Sequence, residues 1–135
     1  MRNLIVHTWM TLDRVAQAPG APQEDTSGGF QHGGWHLRHS DDTSRARVAE
    51  RYTAAGGFVF GRRAFQSLAG YWPHASNEEQ AIAEPLEWQN SAVLRGDAAE
   101  AVAALKRQDG GDLLVVGSTQ LVQTLAGHDP STSCS

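Results

Sequence analysis

Cysteine, long hydrophobic runs and basic charge are all in short supply in this sequence, and each shortage excludes a class of protein. The single cysteine, Cys134, can form neither an internal disulfide nor a zinc site by itself. The longest apolar runs cover four or five residues, which is too short to span a bilayer, so no membrane association is expected. The formal net charge is −4 and no basic face stands out, so a nucleic-acid partner is not expected either.

Length and composition predict one cytoplasmic domain. The chain has 135 residues, of which 40% are hydrophobic and 19% charged, as is usual for a globular protein with a real core. Residues 1–7 contain a basic residue and a short apolar run, but they lack the h-region and cleavage site of a signal peptide. We therefore expect a single domain over residues 1–129 and a polar tail without packing signals over 130–135.

Strand-like and helix-like segments alternate along the chain, which is typical of an α/β domain with a largely parallel sheet. The apolar runs predict strands at 3–10, 58–60, 92–94 and 112–116. Helical spacing and capping residues predict helices that begin near 40–42, 61, 97 and 118, with a weak helical turn over 77–84. We expect helices on both faces of this sheet, in a three-layer α-β-α arrangement.

One stretch, Phe58 to Phe65, combines a strand, a turn and a helix start that bears two arginines. A helix that begins directly after Gly61 leaves its first backbone N–H groups without internal partners, and these groups favour anions. Arg62 and Arg63 add guanidinium groups, which suit phosphate. The sequence therefore predicts an anion site here. The alternative is two solvated surface charges, although the helix dipole disfavours cations at this end.

A second strand–turn–helix unit repeats this plan without the arginines. Residues 113–116 form a continuous apolar run, and the turn consists of Gly117, Ser118 and Thr119. Two such units suggest one extended phosphorylated ligand, such as a dinucleotide, although neither unit carries a standard phosphate-binding fingerprint. The alternative is that Ser118 simply caps an ordinary connecting helix.

The segment over 16–34 is rich in glycine and proline, and its aromatic and histidine residues favour a functional loop. Trp35, at its end, is a candidate for substrate contact. The spacing of His32, His36 and His39 allows a metal site, but solvent-facing histidines in a loop explain it more simply, so no metal is predicted. Asp13 is either a proton donor near the cleft or a turn residue whose carboxylate accepts backbone hydrogen bonds.

Several motifs in this order resemble the dihydrofolate-reductase-like superfamily, and in particular the reductase domain of the bifunctional riboflavin-biosynthesis deaminase–reductase. The motifs lie at 11–15, 18–35, 60–63, 71–73 and 115–118. The resemblance implies a reductase-like domain over 1–129 that binds NADPH across its sheet and reduces a pteridine- or pyrimidine-like substrate. It implies the following cofactor-binding residues: Val6, Gly61, Arg62, Arg63, Val116, Gly117, Ser118 and Thr119. Asp13 and Trp35 would border the substrate.

The chain departs from the family pattern at three places. Ala64 stands where relatives often have a hydroxyl group, the segment between Trp72 and Trp88 is short, and the chain stops soon after His128. The resemblance thus implies an internally shortened and C-terminally truncated member, with a sheet that is incomplete at the C-terminal edge. An open sheet edge also allows a homodimer formed by strand pairing. The alternative to a reductase is a catalytically inactive remnant or a nucleotide-binding protein.

Overall fold

Five α-helices and four β-strands make up the part of the chain that the structure, a computed structural model, describes: residues 1–86, 91–128 and 133–134. The strands are β1 (Leu4–His7), β2 (Gly57–Val59), β3 (Leu113–Val116) and β4 (Ser133–Cys134). The helices are α1 (Asp42–Ala54), α2 (Arg62–Tyr71), α3 (Gln80–Ala83), α4 (Ala98–Lys106) and α5 (Thr119–His128). Short 3₁₀ turns flank α3 at Asn77–Glu79 and Glu84–Leu86.

All four strands run parallel in one sheet with the order β2-β3-β1-β4. The central strand β3 pairs with β1 from Leu113 opposite Leu4 to Val116 opposite His7, and with β2 on its other side. The prediction of an α/β domain with a largely parallel sheet is confirmed. Because the strands are parallel, their carboxyl ends meet at one edge of the sheet, where ligands bind in folds of this kind.

Alternating side chains along the strands supply two separate cores, one on each face of the sheet. The first core joins the sheet to α4 and α5 through Leu4, Val6, Val59, Val102, Leu113, Val115 and Leu125. The second core joins it to α1 and α3 through Tyr52, Ile82, Leu86, Leu114 and Val116, with Phe58, Phe60 and Trp72 packed against them. Helices therefore cover both faces, and the prediction that Trp72 serves in packing is confirmed.

Aspartates begin two of the helices, as the sequence predicts. The Asp41 carboxylate accepts a hydrogen bond from the Ser44 N–H at 2.7 Å, and the Ser44 hydroxyl accepts one from the Asp41 N–H at 3.0 Å. The Asp97 carboxylate accepts one from the Glu100 N–H at 2.9 Å. Each carboxylate satisfies a donor that the helix itself leaves open and lies at the positive end of the dipole.

Two strand predictions need correction. The first strand, predicted over 3–10, ends at His7, because the chain beyond it turns away and Thr11 closes a tight turn with Val15. Residues 92–94, predicted as a strand, have no regular structure, and the Val93 side chain is 83% exposed. Three apolar residues carry no periodicity, so only pairing with a neighbour could make them a strand. Trp88, predicted to pack in the core or at its rim, lies outside the described residues.

The C-terminal segment also differs from the expectation of a tail without packing. The backbone of Ser133 and Cys134 pairs with Ile5 and Val6 as the short strand β4. A polar sequence can form such an edge strand because the ladder uses only backbone groups. The predicted boundary at 129/130 lies outside the described residues. Nowhere in residues 1–86, 91–128 and 133–134 is there a helix long and apolar enough to cross a membrane.

Candidate functional site

The starts of α2 and α5 lie side by side at the carboxyl edge of the sheet. The Gly61 N–H donates a hydrogen bond to the Gly117 carbonyl oxygen at 3.3 Å, which joins the ends of β2 and β3. A Cβ atom on Gly61 would lie 2.6 Å from the Ser118 hydroxyl oxygen and 3.3 Å from its backbone nitrogen. Gly117 has φ of +61°, and a Cβ there would meet Ala64 at 3.3 Å. Glycine at both positions therefore permits the two helix starts to approach.

The two helix starts differ in how their first N–H groups are satisfied. At α5 the Ser118 carbonyl accepts the Val122 N–H at 3.0 Å, and the Ser118 hydroxyl accepts a long hydrogen bond, 3.5 Å, from the Leu121 N–H. At α2 the residue before the helix is Gly61, which has no side chain to cap it, and the first turn has no acidic residue. The α2 start therefore keeps the open donors and the positive potential that suit an anion.

Arg62 and Arg63 lie at this uncapped start with exposed side chains. In the described part of the chain, neither guanidinium forms an ion pair with a carboxylate. Hydrogen bonds from Ser27 lower the pKa of the nearby Asp25 carboxyl, and the charge of Arg63 adds to this effect. Arg63 therefore lies within the electrostatic influence of Asp25. Both arginine side chains are exposed and can receive an external anion.

Val6 and Val116, which the resemblance assigns to the cofactor site, have buried side chains. Val6 belongs to the first core and Val116 to the second, and their exposed fractions are 1% and 4%. A ligand at the sheet edge could therefore contact them only through their backbone. Thr119, at the start of α5, is exposed.

Asp13 and Trp35 both have roles in holding the loop between β1 and α1. A hydrogen bond from the Thr11 side chain lowers the pKa of the Asp13 carboxyl, which favours the interpretation of Asp13 as a turn residue over that of a proton donor. The Trp35 indole N–H donates to the Gln17 carbonyl oxygen at 3.0 Å, and the Gln17 amide donates to the Ser27 carbonyl oxygen at 3.0 Å. These bonds join Gln17 to two later parts of the loop.

The histidines of this loop do not assemble a metal site within the described residues. No group of three histidine, cysteine, aspartate or glutamate side chains among them is arranged to hold a metal ion. His36 instead packs beside Trp9, with ring centroids 5.3 Å apart.

His7 is a candidate that the sequence analysis did not single out. It ends β1 opposite Val116, and both of its ring nitrogens are buried without a hydrogen-bond partner among the described residues. Its ring lies edge-on to Trp9, with centroids 4.6 Å apart, and near Tyr52 at 5.8 Å. Burial, together with the charges of Arg51 and His36, lowers the pKa of His7 from 6.5 to about 4. In the sequence, the feature that could have indicated His7 is its position at the end of the apolar run that forms β1.

Comparisons with known proteins assign no function to this site. No protein-family model matches the chain, and no curated protein matches it.

Proposed function

We propose that this protein is an NADPH-dependent reductase of the dihydrofolate reductase and riboflavin-biosynthesis type, with a pteridine- or pyrimidine-like substrate of the 5-amino-6-(5-phosphoribosylamino)uracil class. The observation that carries the proposal is the close approach of two helix starts at the sheet edge, one of them uncapped and flanked by Arg62 and Arg63. An extended dinucleotide with several phosphates suits two adjacent helix starts better than a single small anion does. We also propose that this α/β fold is of the dihydrofolate-reductase-like type.

Each part of the site has a role in the proposed binding mode. Arg62 and Arg63 receive the 2′-phosphate and the pyrophosphate side of the cofactor, and the open N–H groups of α2 add hydrogen bonds. Gly117, Ser118 and Thr119 approach the pyrophosphate from the end of β3. The backbone at the end of β1 borders the nicotinamide and the substrate. NADPH, when bound, supplies the hydride, and the protein positions the two rings and excludes water.

The double variant Arg62→Ala/Arg63→Ala is expected to weaken NADPH binding at least tenfold. Charge-assisted hydrogen bonds contribute about 1.5–3 kcal/mol each, and 1.4 kcal/mol corresponds to a factor of ten. The measurement is a thermal melt with excess NADPH beside one with NADH. A ligand at 100 times its dissociation constant adds about 2.7 kcal/mol, which raises the melting temperature by several degrees.

The matched control is Arg47→Ala/Arg107→Ala, which removes the same two charges at exposed positions in α1 and just after α4. It should keep the full NADPH shift and the selectivity over NADH. Equal weakening in both double variants would assign the effect to net charge and contradict the proposed site. A cooperative wild-type melt with no NADPH shift would overturn the function altogether.

A second function, nucleotide binding without turnover, is favoured by the small sheet, whose four strands in the described part of the chain include one of three residues and one of two. In this alternative the helix starts still hold a dinucleotide, but hydride transfer does not occur. Turnover of a reducible pterin or pyrimidine by pure protein would exclude it.

The outer edge of β2 pairs with no other strand of the described chain, so a homodimer formed at this edge is compatible with either function. Light scattering at several concentrations would detect it.

A further inference from the structure

His7 has an environment that a purely structural residue would not need. Its two ring nitrogens are both shielded from water and both lack hydrogen-bond partners in the described part of the chain. Buried polar atoms are nearly always paired, because an unpaired one loses its hydrogen bonds to water without replacement. A phenylalanine would fill much the same space without this cost. We therefore expect the imidazole to have a hydrogen-bond partner that is not part of the described chain.

The position of His7 connects it to the proposed site. In the register of the sheet it lies opposite Val116, the residue directly before the Gly117 turn. Its side chain projects onto the face that carries α1, where it meets Trp9 and Tyr52. Tyr52 in turn packs edge-on against Phe58, with centroids 5.2 Å apart. A planar heterocycle at His7 would therefore lie beside aromatic rings.

The charges around His7 keep its imidazole neutral. Arg51 and His36 both disfavour a proton on the ring, in addition to the effect of burial. A neutral imidazole offers one N–H donor and one acceptor nitrogen, whereas a protonated one offers only donors. It can therefore hydrogen-bond an uncharged heterocycle that presents either an amide N–H or a carbonyl oxygen.

We propose that His7 contacts the substrate, with one imidazole nitrogen hydrogen-bonded to the amide edge of a planar heterocycle at the carboxyl end of β1. This inference rests on the proposed reductase function and adds a specificity-determining residue to its substrate side. The half-buried ring of Trp9 lies edge-on to the imidazole, and a ligand at His7 requires this ring to move. Arg62 and Arg63 belong to the cofactor side and are not needed for this contact.

The test uses His7→Phe, which keeps an aromatic ring and removes both nitrogens. Binding of two probes, 6-methylpterin and 5,6-diaminouracil, is measured by calorimetry in the presence of saturating NADP⁺. We expect at least a tenfold loss of affinity for the probe that the wild type binds. The melting temperature should stay the same or rise, and the NADPH shift should be unchanged. His7→Gln, which keeps a donor and an acceptor, should recover part of the affinity. His74→Phe, which makes the same change at an exposed histidine, should bind as the wild type does.

A second measurement does not depend on the stability of any variant. The imidazole ¹⁵N signals of His7, identified as those missing from His7→Phe or His7→Gln, should shift when the probe is added to wild-type protein. Unshifted signals, or undiminished affinity in His7→Phe, would overturn the assignment. NADPH binding without binding of either probe would also overturn it while leaving the cofactor site intact. Absence of NADPH binding would instead overturn the proposed function itself.

Discussion

The Gly56→Ala variant is expected to lose about 3 kcal/mol or more of its free energy of unfolding, because a single added methyl group has no space. A Cβ atom on Gly56 would lie within about 2.5 Å of the backbone Cα and carbonyl carbon of Gly111. Neither backbone can easily move away. The Gly56 N–H donates to the Asp112 carbonyl oxygen at 2.8 Å, and the Arg2 guanidinium donates to the Gly56 carbonyl oxygen at 2.7 Å. Overpacking against fixed backbone is among the most destabilising kinds of substitution.

Urea denaturation of Gly56→Ala beside Gly70→Ala would test this expectation. Gly70 lies in α2, and a Cβ there would have nothing within 4 Å. Alanine should therefore stabilise that helix, by roughly 0.5–1 kcal/mol, because glycine is a poor helix former. A loss below about 1 kcal/mol in Gly56→Ala would show that the two loops separate more easily than their hydrogen bonds indicate.

The contact between Gly56 and Gly111 illustrates what sequence patterns leave open. The glycine pairs at 56–57 and 110–111 are typical of helix ends, and α1 and α4 do end before them. Their second role, a close approach between the turns that precede β2 and β3, depends on two segments about 55 residues apart. Local sequence propensities do not predict a contact between residues so far apart in the chain. The contact follows from strand pairing, because β2 and β3 lie side by side in the sheet.

Strong periodicity was a reliable guide to the fold, and short apolar runs were not. The helix after Asp97 and the strand Leu113–Val116 were predictable, since one has an apolar face and the other a continuous buried run. Residues 92–94 carry the same residue types, yet Val93 and Leu94 are exposed and unpaired with the described strands. The difference lies in whether a neighbouring strand is available, which a three-residue pattern does not specify.

The candidate site was predictable where it depends on the order of residues and hidden where it depends on packing. Gly61 followed by two arginines indicates an uncapped, basic helix start, and α2 begins at Arg62. The approach of Ser118 to Gly61 follows once β2 and β3 are known to be parallel neighbours. His7 could not be recognised in this way. Only the packing of Trp9 and Tyr52 around it shows that both ring nitrogens are buried and unpaired.

The burial of His7 leads to the second large effect, a loss of stability on mild acidification. The pKa of His7 is about 4 in the folded protein and 6.5 as its ordinary value, which the unfolded chain should show. Between these values the unfolded state binds more protons, so the free energy of unfolding falls as the pH falls from about 6.5 towards 4. At 1.36 kcal/mol for each pKa unit, the full effect is about 3 kcal/mol, of which about 2 kcal/mol is lost between pH 8 and pH 5. His36, whose pKa is also lowered by burial and by His39, adds in the same direction.

The His7→Phe variant isolates this effect, because the other titrating groups are the same in both proteins. Arg51 is present in both proteins, and burial raises the pKa of Tyr52, so its phenol stays neutral throughout the range. Asp13, Asp25 and Asp41 have lowered pKa values and destabilise the fold only at more acidic pH, equally in both proteins. Urea denaturation from pH 8 to pH 4.5 should therefore give a much flatter profile for His7→Phe than for the wild type. Parallel profiles would mean that His7 takes up its proton in the folded state as readily as in the unfolded chain, and its imidazole would then be open to water.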